Sequence, residues 1–236
     1  MNNTQHESAK HKVLLTGAAG YLGTAIRHIA GDNIELVCVD IKNRGDSSIC
    51  EGTYTDTGLM EELLAGCDTV IHTAGLHGGN RHTHSPAQFI EINVAGTVAL
   101  LELCIKLGVR RCVFSSSMEV LLGHDLAASG MSIVDEQTRP NPSWIYPVSK
   151  LMCEQVGECY HRHRGLEFVA LRYQGFEQET EPRPHLPARR VMVRDVARAN
   201  LLAVTAPHVA ARVAYAAVGH AGAPGSGFLE CGFACP

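Results

Sequence analysis

The sequence predicts an α/β fold: a doubly wound parallel sheet of about seven strands with a small, partly irregular C-terminal cap. Three observations predict it. Short, continuously apolar runs, "VLLT", "IELVCVD", "TVIHTAG", "RCVFSSS" and "LEFVALRY", recur between residue 13 and about residue 205. Helical patterns separate them, and a glycine-rich stretch joins the first run to the first helix. Strands that lack polar alternation are buried on both faces, which in a parallel sheet means helices on either side.

Taken in order, the polar "MNNTQHESAKHK" is expected to leave residues 1–11 as a disordered tail. "VLLTGAAGYLGTAI" then places Gly17, Gly20 and Gly23 between the first strand and a helix. Gly17 permits the tight turn, Gly20 lets the backbone approach a pyrophosphate, and Gly23 allows close packing of helix on strand. The free N–H groups and partial positive charge of the helix start point at the phosphates, so Ala19, Tyr21 and Leu22 join the three glycines as cofactor-binding candidates. Asp40 closes the second strand, 23 residues after Gly17. A carboxylate there accepts from both hydroxyls of an adenosine ribose and repels a 2′-phosphate, so NAD is expected rather than NADP, a preference that Lys42 and Arg44 soften. Asp56 opens the next helix as its cap, and in a fold of this kind also faces the adenine.

The segment from Ser85 to Gly108 is punctuated as a helix: Ser85 caps it, Pro86 fits its first turn, Ile90, Val94, Val98, Leu101 and Ile105 share one stripe, and Gly108 closes it. A second long helix runs from about Trp144 to Arg164, between "RPNPS" and Gly165, and a third starts near Arg194. Beyond "VAYAAVG" the pattern decays into an irregular Gly- and Pro-rich tail. The expected organisation is a nucleotide-binding domain over 12–175, followed over 176–236 by short cap segments, the last helix and the tail.

At 236 residues and 25.4 kDa the chain suits one large domain with a modest appendage. Twenty basic residues against 24 acidic ones, with no basic block, argue against nucleic acid as partner. No apolar run nears the ~20 residues that cross a bilayer, and the first residues lack a signal-peptide core, so a cytoplasmic protein without membrane partners is expected. The nine cysteines lie mostly singly in apolar surroundings, without CxxC pairing, as reduced core thiols do.

"YPVSK" puts Tyr146 and Lys150 one turn apart on one helix face. A phenol of ordinary pKa, about 10, is a poor base at neutral pH, and an adjacent ammonium favours the phenolate.

"TGAAGYLG", Asp40, "VIHTAG", "INVAGT", "VFSSS", "YPVSK", "LRYQGF" and "VMVRDVARA", in this order, resemble the short-chain dehydrogenase/reductase superfamily, specifically its extended branch of NAD-dependent epimerases and dehydratases. The resemblance spans roughly residues 12 to 205 and implies a Rossmann sheet. It also implies that Tyr146 is the acid/base for the substrate hydroxyl, that Lys150 lowers its pKa and holds the nicotinamide ribose, and that Ser117 hydrogen-bonds the substrate oxygen and the tyrosine. Ser115 and Ser116 match positions lining the cofactor, as do Ala74, Gly75 and Tyr173, while Gln174 falls beside the substrate. Asn93 matches a helix position behind the site, either touching the cofactor or serving as a buried packing amide. Asp195 matches a structural acid. A homodimer through the helices at 86–108 and 144–164 is implied as well.

The chain departs from the pattern in three places. Dehydratases of this branch carry an Asp-Glu pair after the catalytic hydroxyl, where this sequence has Met118 and Glu119, which argues against 4,6-dehydration. Glu119 is then either an auxiliary acid/base or an ion-paired or solvated carboxylate. Gly175 stands where nucleotide-sugar enzymes have an asparagine that helps hold the diphosphate, and the family's members are usually longer than this chain. Both facts favour a small, sugar-like substrate without a nucleotide handle. "GLHGGNRHTHSP" reads as a substrate-facing lid in which His77, His82, His84 and Arg81 meet hydroxyl or carboxylate groups. No further ligand completes a metal-binding spacing there, and no metal is expected. Arg189 and Arg190 either pair with an anionic substrate or are solvated. The expected function is NAD-dependent oxidation or epimerisation at a secondary hydroxyl of a small polyhydroxy substrate. The alternatives are a nucleotide-sugar epimerase or dehydratase and, from another class, a catalytically silent dinucleotide-binding sensor or scaffold.

Overall fold

The strands β1 (His11–Thr16), β2 (Ile34–Asp40), β3 (Ile49–Glu51), β4 (Thr69–His72), β5 (Arg111–Ser115) and β6 (Glu167–Arg172) join one sheet, seen in a computed structural model. β7 (Phe176–Glu177) and β8 (Val191–Met192) pair as a separate parallel ribbon, and β9 (Arg212–Tyr215) completes the main sheet. The structure describes residues 10–123, 138–173, 175–177, 191–207 and 212–215. The main sheet is parallel throughout, in the order β3-β2-β1-β4-β5-β6-β9. From β1 the chain winds outward to β3 and then crosses back to β4, so the loops after β1 and β4 leave in opposite directions. That reversal opens a crevice at the carboxyl ends of the strands, where doubly wound sheets hold their ligands.

Helices α1 (Tyr21–Ile29), α2 (Thr57–Leu64), α3 (Pro86–Phe89), α4 (Gly96–Leu107), α5 (Ile145–Arg164) and α6 (Val193–Thr205) cover both faces. The two-residue period of β1 divides the core. Val13 and Leu15 pack with Ile26, Val113, Val169 and Val196 beneath α1 and α6. Leu14 turns to the other face with Val70, Leu100, Leu101, Phe114 and Phe168, beneath α2, α4 and α5. Removing each such side chain from water contributes about 1.5–3 kcal/mol. The fold class is therefore the one the sequence implies. Among the described residues no helix is long and apolar enough to cross a membrane. The seven cysteines among the described residues are free thiols, and Cys38, Cys67, Cys104, Cys112 and Cys153 are buried among apolar side chains.

The long helix starting at Pro86 begins and ends as its sequence predicts. Ser85 and Gln88 form a reciprocal capping box, and Gly108 closes the helix at φ 73°. Its middle corrects the expectation of one uninterrupted α-helix: Ile90–Ala95 is a π-helical turn. There the Asn93 carbonyl accepts from Thr97 Oγ1 at 2.5 Å and from Cys153 Sγ at 3.2 Å. These side-chain donors satisfy a carbonyl in the widened turn.

Arg111, at the start of an apparently apolar run, is fully buried. Its guanidinium donates to the carbonyls of Val204 at 2.9 Å and Ala206 at 2.7 Å and pairs with Glu167 at 2.7 Å. It thus satisfies carbonyls that the end of α6 leaves without partners. Asp195 lies in the first turn of α6, 3.9 Å from Arg198, which suits the structural part expected of it.

Candidate active site

The loop between β1 and α1 has the shape its glycines allow. Gly17 adopts φ 75°, and a Cβ there would stand 2.5 Å from Thr73 Oγ1 and 2.9 Å from Ala74 N. At Gly23 a Cβ would collide with the Gly17 carbonyl and stand 2.7 Å from Ala18 Cα. Gly20 caps α1 without a side-chain bond, which leaves the first N–H groups of the helix to a ligand. Asp40 is tied to this loop, since Ala19 N donates to its Oδ2 at 2.9 Å and Lys42 N to its Oδ1 at 3.3 Å. Tyr21 is largely exposed, whereas Leu22 is buried in the core and offers the loop only its backbone. Asp56 caps α2 by accepting from Leu59 N at 3.1 Å, the structural half of its expected role.

Ser117, Tyr146 and Lys150 converge where β5 ends against the first turns of α5, and all three are buried. Ser117 hydrogen-bonds Tyr146 and also accepts from Glu119 N at 3.1 Å, capping the 3₁₀ turn Met118–Leu121. Burial pushes the Tyr146 phenol up to about 12; the Ser117 hydrogen bond opposes this and the charge of Glu119 adds to it. Burial also pushes Lys150 down to about 8, against the influence of Cys153 and Glu154. Lys150 Nζ stands 4.7 Å from the Phe114 ring centroid and 6.0 Å from that of Tyr146.

A buried amide holds this corner together. Asn93 accepts from Leu76 N at 2.7 Å and donates to Leu76 O at 2.9 Å and Ser149 Oγ at 3.0 Å, while Ser149 donates to the Tyr146 carbonyl at 2.7 Å. These contacts make Asn93 a buried amide behind the site. Gly75, at φ 142°, runs against this amide: a Cβ there would lie 2.9 Å from Asn93 Oδ1 and 3.9 Å from Lys150 Nζ. Ala74 precedes it, its N–H donating to Thr16 Oγ1 at 3.2 Å.

Several residues around the site escaped the sequence reading. His72 lies between Thr16 Oγ1 at 2.8 Å and Thr97 Oγ1 at 3.1 Å, and burial, helped by Lys150, drives its pKa down to about 3, so the ring is neutral. Glu154, one turn beyond Lys150, is buried against Arg172, with bonds of 2.8 Å to Nε and 2.5 Å to Nη2. The Ser116 hydroxyl also donates to Glu154, which turns it toward the protein interior. Ser115 sits beside Tyr173, whose pKa burial raises and Ser115 lowers. An acid one turn after a lysine was visible in "SKLMCE", but its arginine partner lies far along the chain.

Glu119 accepts from Trp144 Nε1 at 2.8 Å, and among the described residues no cation pairs with it. His77 caps the 3₁₀ turn Gly78–His82, its Nδ1 accepting from Gly79 N at 3.1 Å; this bond places the ring proton on Nε2, and burial followed by Lys150 lowers its pKa. The Arg81 guanidinium lies 6.0 Å from the centroid of the Trp144 ring. Gln174, Arg189 and Arg190 lie outside the described residues.

Comparisons with known proteins agree with this geometry. The model of the "NAD dependent epimerase/dehydratase family" matches residues 13–203. A UDP-glucose 4-epimerase of Azospirillum brasilense is 30% identical over 180 residues, covering 72% of this chain and 50% of that protein. An NAD-dependent glucose-6-phosphate dehydrogenase of Haloferax volcanii is 26% identical over 191 residues, covering 73% of this chain and 71% of that one. The chain thus spans only about half the length of the epimerase. Among solved structures, a mutated uronate dehydrogenase superposes with a TM-score of 0.74 at 26% identity, covering 87% of this chain and 73% of that one.

Proposed function

Because the chain belongs to the NAD-dependent epimerase/dehydratase family, we propose that it binds NAD and uses it to oxidise or epimerise a hydroxyl of a small sugar-like substrate. The observation that carries this reading is the convergence of Ser117, Tyr146 and Lys150 at the carboxyl ends of the strands, beside the glycine loop. The residues present fit a dinucleotide. A Cβ would fill the cradle at Gly17, the α1 N–H groups are without a side-chain cap, and Asp40 is held at the loop by Ala19 N. Gly17, Ala19, Gly20 and Tyr21 would hold the pyrophosphate and Asp40 the adenosine ribose. Gly75, Ser115 and Tyr173 would line the nicotinamide end. Asp40 disfavours a 2′-phosphate, which supports NAD over NADP.

Bound NAD would supply the hydride acceptor. Tyr146 exchanges the proton of the reacting hydroxyl, Ser117 orients both oxygens, and the Lys150 charge offsets the cost of a phenolate in a buried site. A proton held as tightly as Tyr146 holds its own makes the phenol the resting form and the phenolate the state Lys150 must stabilise. Gly175 in place of an asparagine, together with the likeness to uronate and glucose-6-phosphate dehydrogenases, supports a sugar without a nucleotide. The homodimer through the long helices belongs to this reading, and sedimentation velocity tests it.

The test is to purify the chain, assay retained nicotinamide, and follow reduced-nicotinamide absorbance with uronates, free sugars, sugar phosphates and nucleotide sugars. Accumulating NADH identifies a dehydrogenase; substrate inversion without NADH identifies an epimerase. Tyr146→Phe is expected to abolish turnover and keep NAD binding. Tight NAD binding without turnover of any of these sugars sinks the enzymatic reading in favour of a sensor.

A further inference from the structure

An open cavity of about 530 Å³ lies beside the site, lined by Arg81, His84, Pro86, Phe89, Trp144 and Ile145. Its volume suits a small ligand. Its walls are those of the aromatic cluster that buries Tyr146: the Trp144 and Tyr146 ring centroids are 5.5 Å apart and those of Phe89 and Tyr146 6.5 Å. Trp144 is tied to the reacting corner through Glu119, which takes the indole N–H on its carboxylate and gives its own N–H to Ser117 Oγ.

The charges around the indole are asymmetric. Arg81 lies over the ring at 6.0 Å and, among the described residues, is paired with no carboxylate. His84 also lines the cavity, its Nδ1 2.9 Å from Thr83 Oγ1. The Glu119 carboxylate occupies the Nε1 edge. An anion entering here is drawn toward Arg81 and repelled from Glu119, whereas a neutral hydroxyl can donate to Glu119. A guanidinium offers carboxylate or phosphate a planar fork of donors, and an indole offers a sugar ring a broad apolar platform.

We propose that this cavity is a subsite for the anionic end of a monosaccharide, with Arg81 holding its carboxylate or phosphate and Trp144 supporting the ring so that its hydroxyls reach Glu119, Ser117 and Tyr146. The inference deepens the sugar-substrate reading above and rests on it. Specificity then comes from charge at the end remote from the chemistry.

Trp144 is the one tryptophan of the sequence, so intrinsic indole fluorescence reports occupancy of this cavity directly. The full-length protein with NAD is titrated at fixed ionic strength with glucuronate, glucose 6-phosphate and glucose. A saturable indole response to glucuronate or to glucose 6-phosphate, absent with glucose at equal concentration, is expected; the tighter of the two anions identifies carboxylate or phosphate as the preferred group. Arg81→Gln should weaken that anion roughly tenfold and raise its KM with little change in kcat, and Arg81→Lys should recover part of the loss. NAD binding measured in parallel shows that the variants fold. Equal responses to glucose and the anions, wild-type anion affinity in Arg81→Gln, or no indole response to any of the three overturns the subsite. An Arg81-dependent response without turnover leaves the subsite standing and removes the catalytic reading. Turnover indifferent to Arg81 removes the subsite alone.

Discussion

Replacing Glu154 with leucine is expected to destabilise the protein by about 3–5 kcal/mol. The carboxylate is 5% exposed and Arg172 4%, so neither charge is screened by water. The substitution takes the carboxylate away from Arg172 Nε and Nη2, at 2.8 and 2.5 Å, and deprives the Ser116 hydroxyl of its acceptor. Leucine has a similar volume, so cavity formation adds little, and the cost lies in a buried guanidinium that has lost its two bonds to this carboxylate. The assay is urea unfolding of Glu154→Leu, Arg172→Met and the double variant as a thermodynamic cycle. Desolvation of the pair offsets much of its attraction, so the double variant should lie within about 2 kcal/mol of wild type and well above the sum of the singles. A single-variant cost under about 1 kcal/mol, or a double variant as unstable as that sum, would refute the reasoning.

Lys150, pushed down from 10.5 to about 8, binds fewer protons folded than unfolded between those values, so stability should rise with pH across that window and be lost as pH falls toward 8. Lys150→Met should flatten this slope in unfolding measured from pH 7 to 10.5, and stabilise the protein at pH 7 while removing turnover. Gly157→Ala should destabilise by about 1–3 kcal/mol in thermal unfolding despite alanine's better helix propensity, because its Cβ would collide with the buried Phe168 ring; equal or greater stability would sink that argument. Asp40→Ser should lower the Kd for NADPH relative to NADH, read by reduced-nicotinamide fluorescence, and an unchanged ratio would exclude Asp40 as the discriminating group.

What was legible in the sequence is what the chain decides locally. Gly17 and Gly108 announce positive φ, Ser85 caps a helix, and Tyr146 and Lys150 share a face because one turn separates them. The strands were legible because a buried parallel sheet needs apolar residues at consecutive positions. What remained hidden depends on partners far apart in the chain. His72 lies between Thr16 and Thr97, Arg111 reaches the end of α6, and Glu119 finds Trp144 across a segment of 24 intervening residues. The phenol's upward shift was missed for a related reason: spacing reveals the neighbouring ammonium, whereas the surrounding apolar wall is visible only after folding. The π turn was masked by helical spacings that suit either kind of turn over so short a stretch.

That turn separates two duties within one rod. An α-helix advances about 100° per residue, and the wider ring of Ile90–Ala95 slips the residues before it out of phase with those after it. Phe89 consequently joins Trp144 and Tyr146, while Leu100, Leu101 and Cys104 seat against the sheet. The offset lets one rod serve two surfaces, its first turn completing the aromatic wall beside the reacting hydroxyls and its last turns filling the core beneath the sheet.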